Sequence, residues 1–490
     1  MSSSNPFTSP VSRRWFLAGT GAVAAMGALT ACGSQSGSAV NSPTGSSARD
    51  YTLTPKVARI DLGGPTVQTW TYGDGLPGPL LRGKVGEVLR VSVKNQLPTD
   101  TTVHWHGLAV PNAMDGVPDV TQPTIAAGKS FDYQFALPQP GTYWYHSHVG
   151  VQIDRGLYGP LIIDDPRESG DYDVEWIVLL DDWIDGTGTT PDQVLAELKA
   201  GRMPGMPDMA NMPGMMGPGS AVLGGDGGDV SYPHYLLNGK VPTAPVTFSA
   251  KPGQRARIRI INAGGDTAFR VALGGHRLTV THTDGYAVQP VEVDTLLIAM
   301  GERYDVEVTL GDGVFPLVAV AEGKSGQALG VVRTGSGAVP AATATPAELS
   351  RQLLSYSDLR ATGGAVLAER TPDVTYDLVL GGQMMPYQWT INGSTDYPAL
   401  KVRKGQYVRL RYRNTTTMYH PMHTHGHTAA LRQTGQPTGT SGPRKDTVIV
   451  LPGQTVVADL EANNPGEWML HCHNAYHAVS GLMTMLSYQS

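Results

Sequence analysis

Three observations predict an all-β chain of about three domains. Sixty glycines and thirty-six prolines, with few long 3.6-residue periods, mark many turns between short strands. A length of 490 residues exceeds what one hydrophobic core organises. One sequence unit also recurs three times, as "KVGEVLRVSVKN" (Lys84 to Asn95), "KPGQRARIRIIN" (Lys251 to Asn262) and "RKGQYVRLRYRN" (Arg403 to Asn414). Each copy has a basic residue, Gly two later and Asn nine after the Gly. The alternation between them is that of a half-buried strand entered through a glycine turn. Copies so far apart mean three similar β-domains rather than a solenoid. A charged fraction of 16% and a net charge of −6, with no basic stripe, argue against a nucleic-acid partner.

Taken in chain order, residues 1–32 form a targeting segment. "SRRWFL" (Ser12 to Leu17) resembles a twin-arginine export signal, and the apolar run after it is too short for an ordinary membrane span. "LTAC" (Leu29 to Cys32) resembles a bacterial lipobox, whose cysteine is lipidated and becomes the first mature residue. Residues 33–50 read as a flexible tether. The chain is therefore expected outside the cytoplasm, at the cell surface or in a periplasm, touching membrane only through lipid on Cys32. With Cys32 lipidated, Cys472 has no disulfide partner, and an unpaired thiol in an oxidising compartment calls for a metal.

The first domain, 51–168, carries His104 and His106 nine and eleven residues past Asn95. The second, 169–335, has Val271 and Leu273 at the same offsets from Asn262. A linker, 336–371, leads to the third, 372–490, where His423 and His425 restore the pair. A second repeat agrees. Gly128 and Gly141 precede His146 and His148 at the spacing with which Gly453 and Gly466 precede His471 and His473. Residues i and i+2 of a strand share a face, so each pair aims two imidazoles the same way. Eight imidazoles suggest one polynuclear site between domains one and three, with domain two as spacer. Zinc wants three or four ligands rather than eight and a separate thiolate. Cys472 must point away from His471 and His473, so it serves a different metal, which His420 and His477 can complete. A Cys-His-His trigonal set is the blue-copper arrangement.

"HWHG", "HSH", "HPMHTHGH" and "HCHNAYH" together resemble the four copper motifs of the three-domain multicopper oxidases, the laccase and cuprous-oxidase group. The resemblance runs from about Tyr51 to the end. It implies three cupredoxin-like Greek-key β-barrels and four copper ions. His420, Cys472 and His477 match type 1 ligands, and His104 and His423 match type 2 ligands. His106, His146, His148, His425, His471 and His473 match ligands of the paired type 3 coppers. His234, His276, His282 and His427 read as core or surface, with His427 alternatively behind the ligands. The implied reaction is one-electron oxidation of substrate at type 1 copper, relay through Cys472, and reduction of dioxygen to water at the three-copper cluster. Asp115, in "PNAMDG", matches the family's acid near that cluster and is assigned proton delivery, against the plain Asp-Gly turn it could otherwise be.

Two departures stand out. The family's axial position falls on Leu482, a non-ligating residue that raises the potential, with Met483 one residue later as the competing axial group. Ala478 stands where several relatives place an acid. "MPGMPDMANMPGMMG" holds Met203, Met206, Met209, Met212, Met215 and Met216, soft thioethers that suit Cu(I). Met418, two residues before His420, is a further docking candidate, and Met384 and Met385 are weaker ones that read sooner as core. The expected substrates are Cu(I) and small phenols, the expected role is copper detoxification, and a monomer is expected. A phenol-oxidising laccase without a copper-homeostasis role and a copper-sequestering lipoprotein are the competing readings.

Overall fold

The structure, a computed structural model, describes residues 47–168, 170–202, 219–438 and 441–489. The export signal, Cys32 and the methionines Met203, Met206, Met209, Met212, Met215 and Met216 lie outside the described residues. The three repeated strands open their sheets alike. Val88–Lys94 runs parallel to Ala48–Leu53, Arg255–Asn262 to Val174–Trp183, and Tyr407–Asn414 to Val374–Met384. On its other edge each pairs antiparallel, with Ser130–Ala136, Arg303–Thr309 and Thr455–Glu461 respectively. The turn glycine sits at φ +84 in Gly86, +81 in Gly253 and +89 in Gly405, which a side chain would resist.

A second sheet faces each of these. It is built from Leu81–Lys84, Tyr158–Asp164, Gly141–His146 and His104–His106 in the first unit. In the last unit its order is Leu400–Val402, Met483–Tyr488, Glu467–Cys472, His420–Thr424 and Thr447–Val450. Alternate apolar residues such as Leu89, Val91 and Val93 meet Tyr143, Tyr145 and Leu161 of the opposite sheet in one core. Ala48–Asp50 already pair with Val88–Arg90, so the end of the expected tether belongs to the sheet.

The repeated Asn explains itself here. Asn95, Asn262 and Asn414 are buried, and each donates twice through its amide, to a carbonyl of the loop that follows and to one 30 to 36 residues further on. Each also accepts from a backbone N–H two residues on. A backbone turn inside a core leaves polar groups that need partners, and one amide supplies three. This lock fixes where the next strand starts, and hence the offset at which the histidines emerge.

Candidate metal centres

The strand Glu467–Cys472 lies between His420–Thr424 and Met483–Tyr488, with His423 opposite His471 and Met422 opposite Cys472. One strand therefore offers a thiol on one face and an imidazole on the other. On the thiol side, Cys472 Sγ lies 3.7 Å from Nδ1 of both His420 and His477, and those nitrogens are 3.2 Å apart. All three side chains are buried. His477 Nε2 donates to Asp229 Oδ2 at 3.0 Å, and His420 Nε2 donates to Thr416 Oγ1 at 2.8 Å. Both Nδ1 atoms thus bear lone pairs facing each other, an arrangement a cation satisfies. Burial, then the neighbouring His477, pushes His420 well below the ordinary imidazole range. Burial pushes the Cys472 thiol far up, so a thiolate here needs a positive ion beside it.

Leu482 is fully buried, and its carbonyl accepts from Cys472 N–H at 3.0 Å. Met483 pairs directly with His471. Residues opposite one another share a sheet face, so Met483 falls on the His471 side, away from Cys472 Sγ. The ring of Trp389 lies 4.0 Å from that of His477.

On the other side, eight imidazoles converge between the first and last units. His106, His146 and His473 bring ligand nitrogens within 4.8 Å of one another, as do His148, His425 and His471, and His104, His106 and His423. Seven of the eight are buried, and His148 is partly exposed. Five rings are capped at Nδ1. His104 donates to Asp115 O, His146 to Ser147 O, His423 to Asp446 O, His425 to Asp115 Oδ2 and His471 to Cys472 O, at 2.8 to 3.0 Å. Their Nε2 atoms are then bare, and His425 and His471 hold theirs 3.0 Å apart. His104, His146 and His423 Nε2, His106 Nδ1 and both nitrogens of His473 are buried without a hydrogen-bond partner. Bare buried nitrogens crowded together fit metal ions and little else. Burial, reinforced by neighbouring rings, lowers every shifted histidine of the set, His471 to about 3.

Asp115 is fully buried and spans two ligands, with Oδ2 on His425 at 2.8 Å and Oδ1 3.2 Å from His104 Nδ1. His427 donates from Nδ1 to the carbonyl of His425 and pairs through Nε2 with Tyr488, so it braces a ligand's backbone. His276 and His282 bond locally, and His234 is half-buried.

Several expectations change. Met418 is 2% exposed and packed in the core, because Asn414 ties its carbonyl inward; it offers no thioether to solvent. Met385, read as core, is 68% exposed at the tip between Val374–Met384 and Tyr387–Ile391. The middle unit is more than a spacer. It supplies Asp229 to His477, and Arg303, which grips Asp446. Asp446 was missed from the sequence although "RKD" puts charge directly before the apolar run Thr447–Val450, a clue to a buried ion pair.

A soft thiolate joined to nitrogen ligands points to copper, and the class defined by this fold is a copper-dependent oxidoreductase built from cupredoxin-like units. Sequence profiles described as multicopper oxidase match residues 55–168, 174–337 and 369–490. The chain is 54% identical to the multicopper oxidase MmcO of Mycobacterium tuberculosis, covering 89% of this chain and 86% of that one. It is 30% identical to a copper resistance protein A homolog of Pseudomonas syringae pv. tomato, covering 96% and 98%. The crystal structure of a laccase from Botrytis aclada superposes with a TM-score of 0.73 at 25% identity, over 90% and 88%. The chain belongs to the multicopper oxidase family. A twin-arginine signal profile matches residues 10–30, which indicates export across the cytoplasmic membrane. Among the described residues no helix is long and apolar enough to cross a membrane.

Proposed function

We propose that the chain is a cuprous oxidase of copper detoxification that also oxidises small phenols. The observation that carries the oxidase part of this reading is the two-faced strand, which presents Cys472 to His420 and His477 while His471 enters the eight-histidine set. His420, Cys472 and His477 would hold type 1 copper. His104 and His423 would hold type 2 copper, and His106, His146 and His473, with His148, His425 and His471, the type 3 pair. Bound copper supplies one-electron chemistry at the thiolate site and reduction of dioxygen to water at the cluster.

The chain's own residues do the rest. Cys472 offers the shortest covalent path between the two sides, through its peptide bonds to His471 and His473. Asp115, between His104 and His425, would hold and deliver a proton beside the cluster. Leu482 fills the position on the Cys472 face without a donor atom, which favours the reduced ion and a high potential. Met385, exposed against Gly201, and the six methionines from Met203 to Met216 support capture of Cu(I) by thioethers. A lipid on Cys32 would hold the exported monomer at the membrane surface.

Oxygen uptake on Cu(I), Fe(II) and a phenol, with and without residues 203–216, tests the substrate. The loop's removal is expected to raise the Michaelis constant for Cu(I) more than for the phenol. Equal effects would leave a laccase.

A further inference from the structure

Of the six rings capped by a hydrogen bond, one is turned over. His104, His146, His423, His425 and His471 are capped at Nδ1, whereas His106 is capped at Nε2, 3.1 Å from Asp446 Oδ1 and 3.2 Å from Thr447 Oγ1. Its Nδ1 is the atom left bare among His146 and His473. A neutral imidazole carries one N–H, so whichever nitrogen is made to donate decides which one can ligate.

Asp446 makes that decision, and Arg303 determines how Asp446 sits. Arg303 comes from the middle unit and is fully buried. Its Nη1 and Nη2 hold Asp446 Oδ1 and Oδ2, each at 2.7 Å. Its Nε donates to the Thr142 carbonyl of the first unit at 3.1 Å, and Nη1 donates to Gly301 O at 3.0 Å. A carboxylate gripped by a guanidinium can only accept, which leaves His106 Nε2 to donate. The backbone approaches just as closely. A Cβ on Gly301 would lie 2.9 Å from His106 Cε1, and one on Gly107 would lie 2.3 Å from Arg303 Nη2.

We propose that Arg303 is a positioning residue of the cluster: by gripping Asp446 it fixes His106 as the tautomer that presents Nδ1 to copper, and so ties the middle unit to a site built by the other two. The inference concerns copper retention and stands whatever the reducing substrate is. Asp446 also takes His423 Nδ1–H on its backbone carbonyl, a contact that side-chain replacement spares. The His106 copper should therefore suffer before the His104/His423 copper does.

The test uses copper-loaded Arg303→Met, Arg303→Lys and Asp446→Asn proteins. Copper per chain is measured by mass spectrometry after challenge with graded chelator, alongside the blue absorption and the Cu(II) electron paramagnetic resonance spectrum. In Arg303→Met the copper held by His106, His146 and His473 should be retained about 10- to 100-fold more weakly, the range for loss of an outer-shell partner. A new paramagnetic signal should come from the copper left unpaired, with the blue absorption intact. Asp446→Asn, whose amide can donate to Nε2 and release the other tautomer, should lose the same copper, and Arg303→Lys should fall between. Unchanged retention in Arg303→Met and Asp446→Asn would overturn the proposal. So would parallel loss of blue and cluster copper in Arg303→Met with no loss in Asp446→Asn, because Arg303 would then only hold the units together.

Discussion

The thiolate site and the eight-histidine set use the same strand yet are built on opposite plans. His420, Cys472 and His477 all come from the last unit, within 58 residues counted from His420 to His477. The two histidines present Nδ1 toward Cys472 Sγ, with Nε2 held by Thr416 and Asp229. The cluster draws four rings from each of two distant units, presents Nε2 from most of them, and relies on a third unit to hold Asp446. A site whose three ligands come from one unit can be shaped largely by local packing, here with Asp229 of the middle unit bracing His477 from outside. A site at a junction needs separate devices to hold its parts in register, and here these are Asp115 and the Arg303–Asp446 pair, all buried.

The sharpest way to separate the two regions is to remove the sulfur. Cys472→Ser is expected to abolish the blue absorption and reduce oxygen uptake to background, while copper bound by the eight histidines remains. Loss of cluster copper in the same protein would mean that the two sites do not load independently. Asp115→Asn attacks the other side. It keeps the shape but removes the acid, so oxygen uptake should fall by about 100-fold with copper content unchanged, within the range of a positioned proton donor. A rate within twofold of the parent would reduce Asp115 to a brace for His104 and His425.

Smaller effects sharpen the contrast. Leu482→Met should lower the potential of the thiolate site by roughly 60 mV, a tenfold change in a one-electron equilibrium, and leave the cluster spectrum alone. An unchanged potential would mean that position 482 does not face the metal. Met418→Ala should cost about 2–5 kcal/mol of stability, as a buried truncation does, without moving the Michaelis constant for Cu(I). A raised constant at unchanged stability would return Met418 to the entry path. Finally, burial holds His471 at about 3 in the folded chain against an ordinary 6.5. A folded pKa below the unfolded one means the unfolded chain binds the extra proton. The apoprotein's stability should therefore be full above pH 6.5 and fall as pH drops toward 3. Calorimetry of the apoprotein across that window checks the sign.

Legibility in the sequence followed periodicity. The His-x-His pairs were readable because strand period and the repeated Asn dictate which side chains share a face, and the structure brings those histidines together. Cys472 was readable for the same reason. Arg303, Asp446 and Asp229 were not, because they meet the sites across unit boundaries at separations no local pattern encodes. Met418 and Met385 misled in opposite directions. Proximity in sequence to His420 says nothing about orientation once the Asn414 amide turns the loop inward, and an apolar pair at a hairpin tip has no sheet above it to cover it.

The most direct test of the account is an oxygen titration of fully loaded protein with Cu(I). Anaerobic Cu(I) should bleach the blue absorption, and dioxygen should restore it with four Cu(I) oxidised per dioxygen and no hydrogen peroxide released. Bleaching that dioxygen does not reverse, or peroxide formed for every two Cu(I), would contradict the claim that Cys472 joins the two sites.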